Sequence, residues 1–134
     1  MANQEDKLHF QLGLFSASLL ALREAVETDT GDKKSRDSIL LSYVFTFEMA
    51  WKTLKAALLL RGADAPDYAA GTLRSAFTAG LLSGPDLWMD LREGRNEVSH
   101  AYDQERAIIL AAMVKARAVQ AFEDLLKTLQ HDGS

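Results

Sequence analysis

Apolar residues recur every three or four positions along almost the whole chain. No stretch alternates apolar with polar residues for long enough to make a strand. Leu8, Leu12, Phe15, Leu19, Leu22 and Val26 succeed one another at spacings of four and three. That stripe predicts an amphipathic helix over about residues 4 to 28. The polar stretch ETDTGDKKSRD, Glu27 to Asp37, reads as a loop. A second helix is predicted from about Asp37 to Arg61, stopping at Gly62. Its apolar residues, among them Leu40, Leu41, Tyr43, Phe45, Phe47, Trp51 and Leu54, surround most of the helix. Such a helix must be covered on more than one side. Two covers are open: a second subunit, favoured by the shortness of the chain, or a central place in the bundle.

Pro66 is expected to open a third, shorter helix reaching about Leu82, with Leu73, Phe77 and Leu81 on one face. Ser83-Gly84-Pro85-Asp86 restarts the chain, with Pro suited to a first helical turn and Asp86 complementing the helix dipole. The fourth helix turns Leu87, Trp88, Leu91 and Val98 inward. The last runs from about Asp103 to Gln130, with Ala107, Ala111, Val114, Ala118, Ala121, Leu125 and Leu129 in register. The fold expected is all-α: an up-down bundle of four long helices plus one short helix. One domain, residues 1 to 134, accounts for the length.

Composition narrows the chemistry. With 134 residues, 48% of them hydrophobic and 25% charged, the chain is expected to build a sizeable core without staples. There is no Cys, which excludes disulfides and thiol chemistry and fits a reducing cytoplasm. The opening MANQEDKLHF is too polar for a signal peptide. The longest apolar run, AIILAAMV, falls far short of the ~20 residues that span a bilayer, so no membrane partner is expected. The formal net charge of −4 excludes a nucleic-acid binder steered by bulk charge. His9 and His131 stand near the two ends of the chain with no ligand-type spacing, and no metal site or cofactor is expected. Trp51 and Trp88 read as core. No Gly-rich loop follows a strand, so no phosphate-cradling loop of that kind is expected.

The candidate chemistry lies in RNEVSHAY, which brings Arg95, Asn96, His100 and Tyr102 into eight residues. Five helical steps separate the directions of Arg95 and His100 by about 140°, whereas Arg95 and Tyr102 are only about 20° out of line. Arg95 and His100 therefore meet only at a turn or across two subunits. A turn near Ser99 suits Asp103 as N-cap of the last helix. It also puts His100 near a helix C-terminus, where the dipole favours imidazolium. A capping or packing role is the plainer reading of these types, with Arg95 paired to Glu93 or Glu97. From Asp86 to Arg106 the acids Asp86, Asp90, Glu93, Glu97, Asp103 and Glu105 face Arg92, Arg95 and Arg106. That balance favours a basic protein partner over RNA. Lys33, Lys34 and Arg36 offer a basic edge before the second helix.

RNEVSHAY resembles the R-x4-H-x-Y motif of HEPN domains, in particular HepT-like proteins. FTFEMAWKTLK, Phe45 to Lys55, resembles a signature of the nucleotidyltransferase substrate-binding branch of that superfamily. The segment from Ser75 to Asp103 is similar to the same branch in its short helix, Gly-Leu turn and closing H-x-Y. Ser42 and Val44 stand where family members often carry Arg and Glu. The resemblance implies a helical homodimer with its two motifs facing each other. It implies a minimal nucleotidyltransferase as partner, in a toxin-antitoxin-like module. Members of the family either present substrate to that partner or act as metal-independent ribonucleases. For the latter activity the resemblance assigns Arg95 and Asn96 to the scissile phosphate of RNA and His100 to proton transfer. Tyr102 is the residue a partner would AMPylate, and nucleotide or RNA is the expected ligand.

Overall fold

The computed structural model describes residues 3–100 and 103–132, and among them there are helices and no strand. Helix α1 spans Gln4–Glu27 and α2 spans Lys33–Leu60. The short α3 is Ala69–Thr78 and α4 is Pro85–His100. A last long run comprises α5 (Gln104–Met113), a π-helical turn (Val114–Ala118) and α6 (Val119–Asp132). The expected bundle of four long helices and a short one is the fold observed.

Two boundaries differ from the sequence reading. Helix α2 begins at Lys33, a turn before Asp37, because Asp32 caps it by accepting from the Ser35 amide at 2.9 Å. Asp37 lies one turn into the helix, paired with Lys33 at 2.7 Å. The third helix begins at Ala69 instead of Pro66, because the buried Thr72 hydroxyl donates to the Pro66 carbonyl at 2.6 Å and holds that segment as a turn. It ends before Leu82, where the chain reverses at Ala79 and Gly80. Expected features that appear are the stop of α2 at Gly62, Pro85 opening α4 and Asp103 capping α5.

Helix α2 is the central helix, packed by α1, α3, α4, α5 and α6. Its all-round apolarity is therefore met mostly within the chain. Antiparallel α1 is stitched to it by two buried threonines seven residues apart. Each hydroxyl shares its proton between its own helix and α1: Thr46 between the Ser42 carbonyl at 2.7 Å and the Ser18 carbonyl at 3.1 Å, Thr53 between the Met49 carbonyl at 2.7 Å and the Gln11 carbonyl at 3.2 Å. The core closes on Phe122, whose ring packs edge-on against Phe15 and Trp88 and tilted against Tyr43. All seven residues expected on the inner face of the last helix are buried. Phe122 joins them, four residues after Ala118 and three before Leu125 on the same face. Trp51 and Trp88 are both buried.

Candidate functional site

The site is built where α4 crosses α2. Gly94 makes the approach possible. A Cβ there would stand 2.8 Å from the Met113 methyl and 3.1 Å from the Tyr43 hydroxyl. The Tyr43 ring is fully buried, and its hydroxyl donates to the Leu91 carbonyl one helical turn before Arg95. Burial pushes the Tyr43 phenol well above its ordinary range, with the Arg95 backbone amide acting in the opposite direction. The phenol is thus a neutral peg that fixes α4 along its axis.

On this support Arg95 is half-buried. Its Nη2 donates to Glu48 Oε2 at 2.8 Å and its Nη1 to Asn96 Oδ1 at 3.2 Å. Its Nε is buried with no acceptor among the described residues. Glu48 also faces Lys52 at 3.7 Å. Neither Glu93 nor Glu97 takes the pairing with Arg95 that the sequence suggested. Glu97, on α4, instead receives Nε and Nη2 of Arg106, on α5, at 2.5 and 2.8 Å. That fork holds the Glu97 carboxyl below its ordinary value. Asp90 is met by Arg117 at 3.3 Å, so the acidic surroundings of the motif are partly neutralised from the last helix. The basic residues expected before the second helix lie in its first turn, where Lys33 pairs with Asp37 and Arg36 donates to the Gly31 carbonyl and to Gln104.

Arg95 and Asn96 are thus brought together, and Glu48 joins them from α2. The helical backbone continues past Ser99 to His100, the last residue of α4. The two positions diverge by about 140° around one helix. The His100 side chain and Tyr102 lie outside the described residues, as does any contact between them and Arg95. The sequence reading missed Glu48 as the partner of Arg95. The signal was available in its spacing. Leu41, Phe45, Glu48 and Lys52 succeed one another by four, three and four on one face of α2. Leu41 and Phe45 on that face are 64% and 60% exposed. Ile108 and Ile109 on α5 are also exposed, and the Arg36–Gln104 bond ties the starts of α2 and α5 together. Among the described residues no three imidazole or carboxylate groups cluster to hold a metal ion, and no helix is long and apolar enough to cross a membrane.

Comparison with known proteins adds two findings. The family described as nucleotidyltransferase substrate binding protein like matches residues 11–131. The probable ribonuclease HepT of Haemophilus influenzae is 29% identical over 97 residues, which cover 67% of this chain and 66% of that protein. The match therefore spans just under two thirds of that relative's length.

Proposed function

This chain belongs to the nucleotidyltransferase substrate binding protein like family, and on that premise we propose that it is a HEPN-type subunit that docks a minimal nucleotidyltransferase. In that role it acts as the substrate-binding or target subunit of a two-protein module. The observation that carries this reading is the state of Arg95. Its guanidinium is neutralised by Glu48 at the end of an uncovered apolar stripe on α2. A phosphate would have to displace or share that carboxylate, whereas a protein surface can cover stripe and ion pair together. A second copy of the chain forms part of that surface, covering Leu41 and Phe45 in the homodimer we include in this reading, and the nucleotidyltransferase takes the Arg95–Glu48 end. Tyr102 is the group the partner would modify, its phenol oxygen taking AMP from ATP with release of pyrophosphate.

The test is to mix the purified chain with a minimal nucleotidyltransferase from the same genome and measure the mass in solution. A stable complex is expected, with AMP added to Tyr102 when ATP is present. Two proteins that elute separately at micromolar concentration sink the docking reading.

A second reading, metal-independent ribonuclease, is favoured by the similarity to a probable ribonuclease. Arg95 would clamp the phosphate, and the Asn96 carbonyl already accepts from Arg95, which leaves its amide nitrogen to donate. His100 would transfer the proton. On this reading RNA cleavage survives EDTA and is lost in Arg95→Ala and in His100→Ala. Absence of cleavage at high protein concentration removes it.

A further inference from the structure

Arg95 and Glu48 are joined at a single point. Nη2 of Arg95 donates to Glu48 Oε2 at 2.8 Å, while Nη1 goes to Asn96 and Nε takes no part. Glu97 and Arg106 show the alternative, a fork in which Nε and Nη2 both reach the carboxylate. A fork adds a second charge-assisted bond and a fixed geometry, and the Arg95 contact lacks both. The pair is also open to water, its two side chains being 31% and 28% exposed. It is therefore a contact that a competing anion can reach and break.

Glu48 has a second cation within reach. Lys52 follows one turn along α2, with its Nζ 3.7 Å from Glu48 Oε1, the oxygen that Arg95 does not use. A Glu four residues before a Lys is the favoured order on a helix face. A small rotation of the carboxylate thus exchanges a partner on α4 for one on its own helix. Release of Arg95 then leaves no carboxylate unpaired, which is the costly outcome when an ion pair is broken. What stays on α4 is Arg95 and, one turn earlier, Arg92, a half-buried residue that forms no ion pair among the described residues. Residues three apart are neighbours on a helix surface.

We propose that Glu48 is a displaceable stand-in for an RNA phosphate: it occupies Arg95 at rest and passes to Lys52 when the backbone of a single-stranded RNA arrives. The inference rests on the second reading above, in so far as Arg95 there meets phosphate. It goes beyond that reading by making α2 the element that sets how tightly the motif holds RNA. Carboxylate and phosphate both accept N–H bonds from a guanidinium, so they compete for it. A lone carboxylate from a protein partner offers Arg95 nothing that Glu48 does not already give. An RNA backbone brings a second phosphate for Arg92. Glu48 therefore lowers RNA affinity, and Lys52 limits the loss by taking the carboxylate over.

The test is fluorescence anisotropy of the full chain with a short fluorescein-labelled single-stranded RNA carrying 2′-O-methyl sugars, which binds without being cut. Glu48→Gln keeps the shape of the side chain and removes its charge. It is expected to bind about tenfold or more tighter than wild type at low salt. The gain is expected to vanish when Arg95→Gln is added. Lys52→Gln is expected to weaken binding by about threefold or more in the wild-type background and to have little effect beside Glu48→Gln. A Lys52 that simply touches RNA weakens both backgrounds alike. Cleavage of the matching unmodified RNA is read alongside. Tighter binding without cleavage by any variant keeps the displaceable carboxylate and removes the ribonuclease reading. Cleavage with no gain in Glu48→Gln does the reverse. The proposal is overturned if Glu48→Gln binds like wild type, if its gain survives the loss of Arg95, or if Lys52→Gln acts equally in both backgrounds. It is equally overturned if no variant binds the RNA below roughly 1 mM, which leaves a protein surface as what Arg95 meets.

Discussion

At Gly94 the absence of one methyl group decides how close α4 comes to α2. In an open helix, Gly→Ala is favourable by about 1 kcal/mol. Here the new Cβ meets Tyr43 Oη at 3.1 Å, and the Tyr43 ring is fully buried and cannot retreat. Overpacking of this kind costs about 1–3 kcal/mol. Gly94→Ala is therefore expected to lower the unfolding free energy by on the order of 1 kcal/mol in urea titrations, where the propensity scale alone predicts a gain. Glu97 supplies the pH dependence. Its carboxyl is held below the ordinary value of 4.5 by Arg106. A depressed carboxylate contributes stability that is fully present above 4.5 and is lost as pH falls through its lowered native value. The pair is mostly exposed, so the contribution is small. Thermal melts are expected to show a Tm gap between wild type and Glu97→Gln at neutral pH that closes steadily as pH drops below 4.5.

Between elements, the packing of α1 on α2 combines an apolar stripe with two hydroxyls. The stripe from Leu8 to Val26 was legible because its spacing belongs to the helix itself. The roles of Thr46 and Thr53 were not, because each depends on a carbonyl donated by another helix. Thr46→Val and Thr53→Val keep the volume and remove the cross-helix bond, and each is expected to cost about 1 kcal/mol in the same denaturation assay. The double variant is expected to be additive within a few tenths, since the two sites share no partner. The π turn at Val114–Ala118 was illegible for a related reason. Nothing in VKARA breaks a helix, and the residues beyond it keep the register of the stripe, with Phe122 against rings from α1, α2 and α4.

At the scale of the molecule, one helix is enclosed by the rest, and what it leaves uncovered is informative. Leu41 and Phe45 are outward-facing on a helix whose other apolar residues are largely covered. They run into Glu48 and so into Arg95. A homodimer through this stripe would set two Arg95 sites near each other and supply the second histidine that a two-proton reaction needs. Leu41→Glu combined with Phe45→Glu is expected to give a folded monomer by light scattering with an unchanged helical spectrum. A variant that stays dimeric places the interface elsewhere.

The sequence by itself determined the helices, their inward faces, the all-α class and the family signature around residues 45–55 and 95–102. All of these rest on spacing along one chain, and helix periodicity is a local property. The tertiary structure decided who meets whom. It paired Arg95 with Glu48 across 47 positions, gave Glu97 to Arg106, and made Tyr43 the peg beneath the motif. Such partnerships depend on helix crossing and on close approach at residues like Gly94, and these exist only once α1, α2, α4 and the last helix share a core.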